Sequence, residues 1–229
     1  MSQEQTVQHD TRSESLGELL GGRRGALDAT LPPLAFVVGW LAFDRSIAVG
    51  AAVAVGVGLI IGAFRVVRGD KLAAVVISVA AVGAAALVAV YTGRAQDFFL
   101  IQLLTNVASA LAWAFSILIR WPLLGVVVGV LLGQKARWRR DPDLLRAYSL
   151  ASWVWVFGQY TLRVAVYFVL WSSGAVVTLG VARVALSWPL VALTIAGSAW
   201  VLRRTLPDGH PGLRHPRVLG ESGEAVERG

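Results

Sequence analysis

The sequence predicts an all-α, polytopic membrane protein with about six transmembrane helices in one bundle, and three observations predict it. Of the 229 residues, 56% are hydrophobic and only 15% are charged, too little charge to coat a water-soluble surface. The charges crowd into the two ends and a few short connectors, leaving apolar runs between them, which is how a bilayer is written into a chain. The basic residues also cluster at alternate connectors, the pattern that sets orientation by keeping Lys and Arg in the cytoplasm.

Taken in order, residues 1–24 are polar and mixed in charge, without the basic start and apolar middle of a signal peptide, and are expected to be a disordered cytoplasmic tail. The membrane domain is expected over 25–204. A spanning helix needs about 20 largely apolar residues, because inside hydrocarbon only a helix or a closed barrel pairs every backbone group. Five runs come near that length: 29–43, 46–64, 72–91, 148–170 and 185–202. Pro32 and Pro33 open the first run, where a missing N–H costs little. Trp40, Tyr91, Trp153, Trp171 and Trp200 lie near run ends, as interfacial aromatic belts require.

The stretch 98–133 is too long for one span and short for two, and Arg120, Trp121 and Pro122 interrupt it. Orientation decides the count. Basic clusters at Arg23 and Arg24, at Arg65, Arg68 and Lys71, at Lys135, Arg137, Arg139 and Arg140, and at Arg203 and Arg204 are expected in the cytoplasm. Connectors 44–46, 92–97 and 172–175 carry at most one Arg each and face outward. The alternation closes only if 98–133 makes one net crossing. Either 98–109 lies in the interface and 111–133 spans, or 98–119 spans and 121–133 re-enters. Residues 205–229, rich in Pro, Gly and charge, are expected to be a second disordered cytoplasmic tail.

The net charge of +7 does not point to nucleic acid, because the basic residues sit at the ends of apolar runs rather than along one soluble face. The chain has no cysteine, hence no thiolate nucleophile or thiolate metal site, and its histidines, His9, His210 and His215, fall in the polar tails. There is no phosphate loop, zinc spacing or nucleophile elbow. No catalytic residue, cofactor or metal is expected, and the partner that is expected is the lipid bilayer.

Two polar stripes stand out. Gln102, Asn106, Ser109, Ser116 and Arg120, with Trp113 among them, follow three- and four-residue steps and share one helix face, as do Gln159, Tyr160, Arg163 and Tyr167. At membrane depth such stripes are costly against lipid, so they are expected to face each other or a water-filled cavity. Arg163 stands near the middle of its run and needs a carboxylate, backbone carbonyls or an anionic ligand to offset desolvation. The nearest acids, Asp28, Asp44 and Asp97, all lie near run ends. Candidate ligand-binding residues are therefore Arg163, Arg120, Gln159, Tyr160, Gln102 and Asn106. The run 134–148 joins Lys135, Arg137, Arg139 and Arg140 to Trp138, a composition that attracts anionic lipid headgroups at about 1 kcal/mol per basic residue. Gly50, Ala54, Gly58 and Gly62, and again Gly125, Gly129 and Gly133, repeat every four residues, which lets helix backbones approach closely, within the chain or in a homo-oligomer.

The stretches GGRRGALDATLPPLAF, FRVVRGDK, AQDFFLIQLLTNVASALAWAFSILIRWPLLG, WRRDPDLLRAYSLASWVW, TLRVAVY and LGVARVALSWPL resemble an actinobacterial integral membrane protein family, domain of unknown function 3159. The likeness runs from about Gly21 to Arg204 and implies fold and location, not activity. In pattern only, the DFF segment, the RWP break and the Trp-rich span are similar to bacterial intracellular septation proteins. Three functions stay open: a non-catalytic protein of the bacterial plasma membrane acting through lipid, small-solute or partner contacts; a small transporter or channel for an anionic solute; and a membrane enzyme acting on a lipid phosphate, with Asp28, Asp44 or Asp97 as base. Because the chain lacks cysteine, single cysteines introduced at 137 and 210 are expected to react with an impermeant maleimide only from the cytoplasmic side. Labelling of either from outside would overturn the orientation.

Overall fold

In the computed structural model the described residues are 22–134, 136–207, 209–213 and 216–217, with 22–29 described by their backbone alone. The described chain is helical: α1 (Gly22–Ala42), α2 (Ile47–Val67), α3 (Leu72–Thr92), a 3-10 turn (Ala95–Phe99), α4 (Leu100–Leu118), α5 (Leu123–Leu131), a second 3-10 turn (Arg137–Arg140), α6 (Pro142–Val154), a π-helical segment (Trp155–Thr161), α7 (Leu162–Ser172), α8 (Val176–Ala185) and α9 (Trp188–Thr205). Four segments are long and apolar enough to cross a membrane: Ile47–Val67, Leu72–Thr92, Ala95–Leu118 and Pro142–Ser172. The pair α8 and α9, bent by 43° at a short break, makes a fifth if it counts as one span, and Thr30–Ala42 adds a shorter apolar helix. Their outer faces are what hydrocarbon requires: Leu59, Ile60, Ile77, Leu87, Leu118 and Leu193 are all more than half exposed.

In the ambiguous stretch 98–133 the segment long enough to cross is Ala95–Leu118, close to the expected span 98–119. Ala95–Leu118 has 24 residues, about 36 Å of helix, against a hydrocarbon core of about 30 Å. By contrast α5 has nine residues, about 14 Å, and cannot cross. The break between them is built by Arg120, which takes the left-handed backbone conformation (φ 57°), and by Pro122, which cannot continue a helix. Ser116 closes it, its hydroxyl donating to the Trp113 carbonyl at 2.7 Å and accepting from Leu123 N–H at 3.2 Å. The expected run at 185–202 is also redrawn. Helix α8 begins nine residues earlier, and Pro189, in the first turn of α9, ends one helix and starts the other.

Two apolar cores form, one toward each end of the bundle. The first joins α1, α2, α3, α7 and α8 around Phe36, Phe98 and Phe99. Phe36 and Phe98 stack at 4.1 Å, and Phe99 meets both edge-on. The second joins α5, α6 and α9 around Trp138, Tyr148 and Leu144, with Trp113 packed against it. Glycine makes the close approaches. A Cβ on Gly50 would meet the Phe36 carbonyl oxygen at 3.0 Å, one on Gly62 would meet Val79 at 3.0 Å, and one on Gly180 would meet Val37 at 3.0 Å. The repeat on α2 thus packs against α1 and α3 within the chain.

The stretch after Thr205 was expected to be free, yet its described part is held against the second core. Asp141, buried at the N-cap of α6, accepts from the N–H groups of Asp143 and Leu144 through one oxygen. Its other oxygen accepts from Arg217 N–H at 2.7 Å and lies 3.0 Å from His210 Nε2. Gly212 N–H donates to His210 Nδ1 at 3.0 Å, so the ring carries its proton on Nε2 and donates it to Asp141. Gln134 donates to the Leu213 carbonyl at 2.6 Å, and Leu206 and Leu213 pack on the core. The physical reason is that a buried carboxylate needs several donors, and the helix terminus supplies only two. The remaining residues of both tails lie outside the described part.

Gly125 gives a direct test of the packing, since an added Cβ would lie 2.8 Å from the Trp138 ring, whereas Gly56 and Gly83 have open space. Gly125→Val is expected to lower stability in detergent by about 1–3 kcal/mol through overpacking. Gly56→Ala and Gly83→Ala should leave it unchanged or raise it by about 0.5–1 kcal/mol, as relief of a helical glycine does.

Candidate functional site

Between the two cores lies a layer of polar side chains, placed there by α4, the π segment, α7, α8 and α9. Its centre is Arg163. The α8–α9 break, with Pro189 in the first turn of α9, presents carbonyls toward α7, of which Ser187 O also accepts from Val191 N–H at 3.2 Å. Arg163 donates through Nη2 to two of them, Leu186 O and, at 3.2 Å, Ser187 O. With the Gln159 amide turned so that its oxygen faces the guanidinium, Gln159 accepts from Arg163 Nη1 at 3.3 Å and Nη2 at 3.2 Å and donates to Thr194 Oγ1 at 3.3 Å. Thr194 in turn donates to Leu190 O at 2.8 Å. An Arg at the centre of a spanning helix costs about 2.5–3.5 kcal/mol to insert, and a hydrogen bond to a charged group contributes about 1.5–3 kcal/mol. These acceptors therefore offset the burial without a carboxylate. Arg163 Nε is buried with no hydrogen-bond partner among the described residues.

The second guanidinium of the layer is Arg183 on α8, which donates to Gln102 Oε1 on α4. Gln102, Arg163 and Arg183 meet at a cavity of about 180 Å³ that Thr30, Tyr167, Ser187, Trp188 and Val191 complete. A larger cavity of about 300 Å³ lies between α2, α3 and α4 and shares Gln102 and Arg183 with the smaller one. Its walls are mainly apolar, including Pro33, Val79 and Ile101, and Arg65 and Ser78 stand at its other end. Both spaces far exceed the roughly 10–15 Å³ that one water needs.

The two polar stripes do face each other. Toward the Arg139 end they are closed: Trp113 stacks on Trp155 at 5.0 Å and lies 6.2 Å from Tyr160. Asn106 is buried and donates to its own helix at Gln102 O. Of the expected ligand-binding residues, Gln102 and Arg163 share the smaller cavity, Gln159 holds Arg163 from behind, Gln159, Asn106 and Tyr160 line neither cavity, and Arg120 stands apart. Arg120 is exposed at the end of α4, where its carbonyl accepts from Arg139 Nε at 3.2 Å. Arg139 also covers the Trp121 ring at 4.5 Å. Arg137, Arg139 and Arg140 are exposed, as headgroup contact requires, and Lys135 lies outside the described residues.

Arg183 escaped the sequence reading because the last run was placed at 185–202. Treating Ser187, Trp188 and Pro189 as a break inside one longer span would have put Arg183 at membrane depth. The acids proposed as bases lie elsewhere. Asp97 accepts from Trp171 Nε1 at 2.8 Å and sits 3.9 Å from Arg94, and Trp171 is eight residues, about 12 Å, along the helix from Arg163. Asp44 is exposed in the α1–α2 turn, and the Asp28 side chain lies outside the described part. For a metal, the described group is Asp141, Asp143 and His210, whose ligand atoms fall within 4.8 Å of one another. Four N–H donors already fill the Asp141 oxygens, so the cluster serves as a helix cap.

Arg163→Leu removes the donor to Leu186 O and Ser187 O and is expected to destabilise the protein by about 1–3 kcal/mol. Arg163→Lys, with the charge but not the planar fork, should recover part of this. Thermal unfolding in detergent measures both, and a Leu variant as stable as its parent would show that the carbonyls need no side-chain partner.

No curated protein and no solved structure matches the chain. The model of the family described as "Protein of unknown function (DUF3159)" matches residues 20–208, and the chain belongs to that family.

Proposed function

We propose that this chain is a non-catalytic, multi-pass protein of the bacterial plasma membrane that binds a small oxyanion at membrane depth. In this reading it crosses six times with both ends in the cytoplasm, as its basic clusters indicate. The observation that carries the reading is the smaller cavity, where Arg163, Arg183 and Gln102 converge with Trp188. Two guanidinium groups converge there, and an oxyanion offers several acceptors in the geometry that a guanidinium fork fits. The backbone carbonyls and Gln159 hold Arg163 in place, so the site is preorganised. A transporter or channel is favoured over a static binder because cavities extend on two sides of the Arg183–Gln102 pair. An enzyme acting on a lipid phosphate is supported less, since no described carboxylate reaches Arg163.

Thermal unfolding of the purified protein tests the reading. Phosphate or sulfate should raise the midpoint, the stabilisation growing as RT ln(1 + [L]/Kd), about 2.7 kcal/mol at 100 Kd. Arg183→Gln should remove the effect. Inorganic phosphate and phosphatidylglycerol in mixed micelles are compared side by side: stabilisation by the lipid alone assigns the oxyanion to a headgroup, and by inorganic phosphate to a free solute. If neither they nor sulfate stabilises the native chain, the proposal fails.

A further inference from the structure

The two cavities have two lining residues in common, Gln102 and Arg183, and those residues are hydrogen-bonded to each other. The larger cavity starts at the α2–α3 end of the bundle. Arg65 is two residues from the end of α2 at Val67, and Ser78 is six residues beyond the start of α3 at Leu72. It can stay open because α3 packs mainly on α2 and on the Ala95–Phe99 turn, with only slight contact to α4. Arg65 is held there by Asp70 at 2.7 Å and reaches Ser78 Oγ at 3.4 Å. An acyl chain fits this space poorly, because the inner end is polar, with Gln102, Thr105 and Arg183. An anion that sheds water to pass the mainly apolar walls fits it better: Arg65, paired with Asp70, marks one end and Arg183 receives the anion at the other.

We propose that the Gln102–Arg183 pair is the partition in a single anion path, and that an oxyanion arriving from the Arg65 end takes the place of Gln102 on the Arg183 guanidinium, joining the larger cavity to the Arg163 cavity. The proposal deepens the oxyanion-binding reading and rests on it for the ligand. The exchange is conservative: one acceptor oxygen of a neutral amide leaves a guanidinium donor and a charged oxygen replaces it, a stronger bond at the same place. Gln102 can swing aside because it is half-buried and borders both spaces, whereas Arg163 is fixed by the α8–α9 carbonyls and stays behind as the second station.

The absence of cysteine makes the test clean. Val82 lines only the larger cavity and Val191 only the smaller. Val82→Cys and Val191→Cys are made separately, each with and without Gln102→Ala. In sealed vesicles that present the Arg65 end, they are treated with the anionic, impermeant reagent sulfonatoethyl methanethiosulfonate. Val82→Cys should react at the same rate in both backgrounds. Val191→Cys should react slowly with Gln102 present and about tenfold faster in Gln102→Ala, the factor expected for loss of one hydrogen bond to a charge. Gln102→Ser, too short to reach Arg183, is the second variant should Gln102→Ala fold poorly, and the same acceleration is expected.

The partition is overturned if Val191→Cys reacts as fast as Val82→Cys in the native background, if neither Gln102 variant accelerates it, or if Val82→Cys does not react from that end. Inorganic phosphate included in the same reaction separates the two proposals. Acceleration without phosphate protection of Val191→Cys leaves the partition and removes the anion, and protection without acceleration does the reverse.

Discussion

The contact between Arg163 and the carbonyls at the α8–α9 break is the interaction on which the rest of the bundle depends. At the break the Leu186 carbonyl turns toward α7, where lipid would leave it unpaired, and a mid-span arginine carries donors that lipid cannot satisfy. Each defect is the remedy for the other, and bringing them together fixes the height and rotation of α7 against α8 and α9. The π segment before α7 belongs to the same arrangement. Its wider turn lies where Gln159 must point at both Arg163 and Thr194, and local widening is a recurrent way to re-aim side chains inside an otherwise regular helix.

The polar layer survives because apolar cores enclose it from both ends. Toward the Asp97 end, Phe36, Phe98 and Phe99 fill the bundle, and Asp97, Arg94 and Trp171 tie the turn after α3 to α7, with Arg94 lying 5.1 Å over the Trp171 ring. Toward the other end, the short α5 folds back onto Trp138 and helps to close the second core. The two cavities described lie in this layer and in the crevice beside α3.

Much of this was legible in the sequence, for identifiable reasons. The helices followed from run length, and the two stripes from three- and four-residue steps, because both are local properties of the chain. The glycine repeat on α2 was legible as close packing. What it packs against was not, since Phe36 and Val79 are distant in sequence or pattern. The span within 98–133 was visible only as one of two options, because charge alternation counts net crossings and cannot say which half of a stretch makes one. Arg183 was left out because the last run was begun after it, and His210 was placed in a polar tail. In each case the deciding partner, Gln102 or Asp141, lies many residues away.

The cap on α6 has a consequence for biogenesis. Asp141 sits at the start of a spanning helix, but two of its donors come from residues 69 and 76 positions downstream. During synthesis α6 must therefore enter the membrane with its N-terminal carboxylate only half satisfied, and it gains its last hydrogen bonds after every other helix has been made. Quality control that recognises exposed polar groups at helix ends would see an unfinished molecule until that moment. A chain interrupted just after α9 would have the described membrane segments and still lack the contacts from His210 and Arg217 to Asp141.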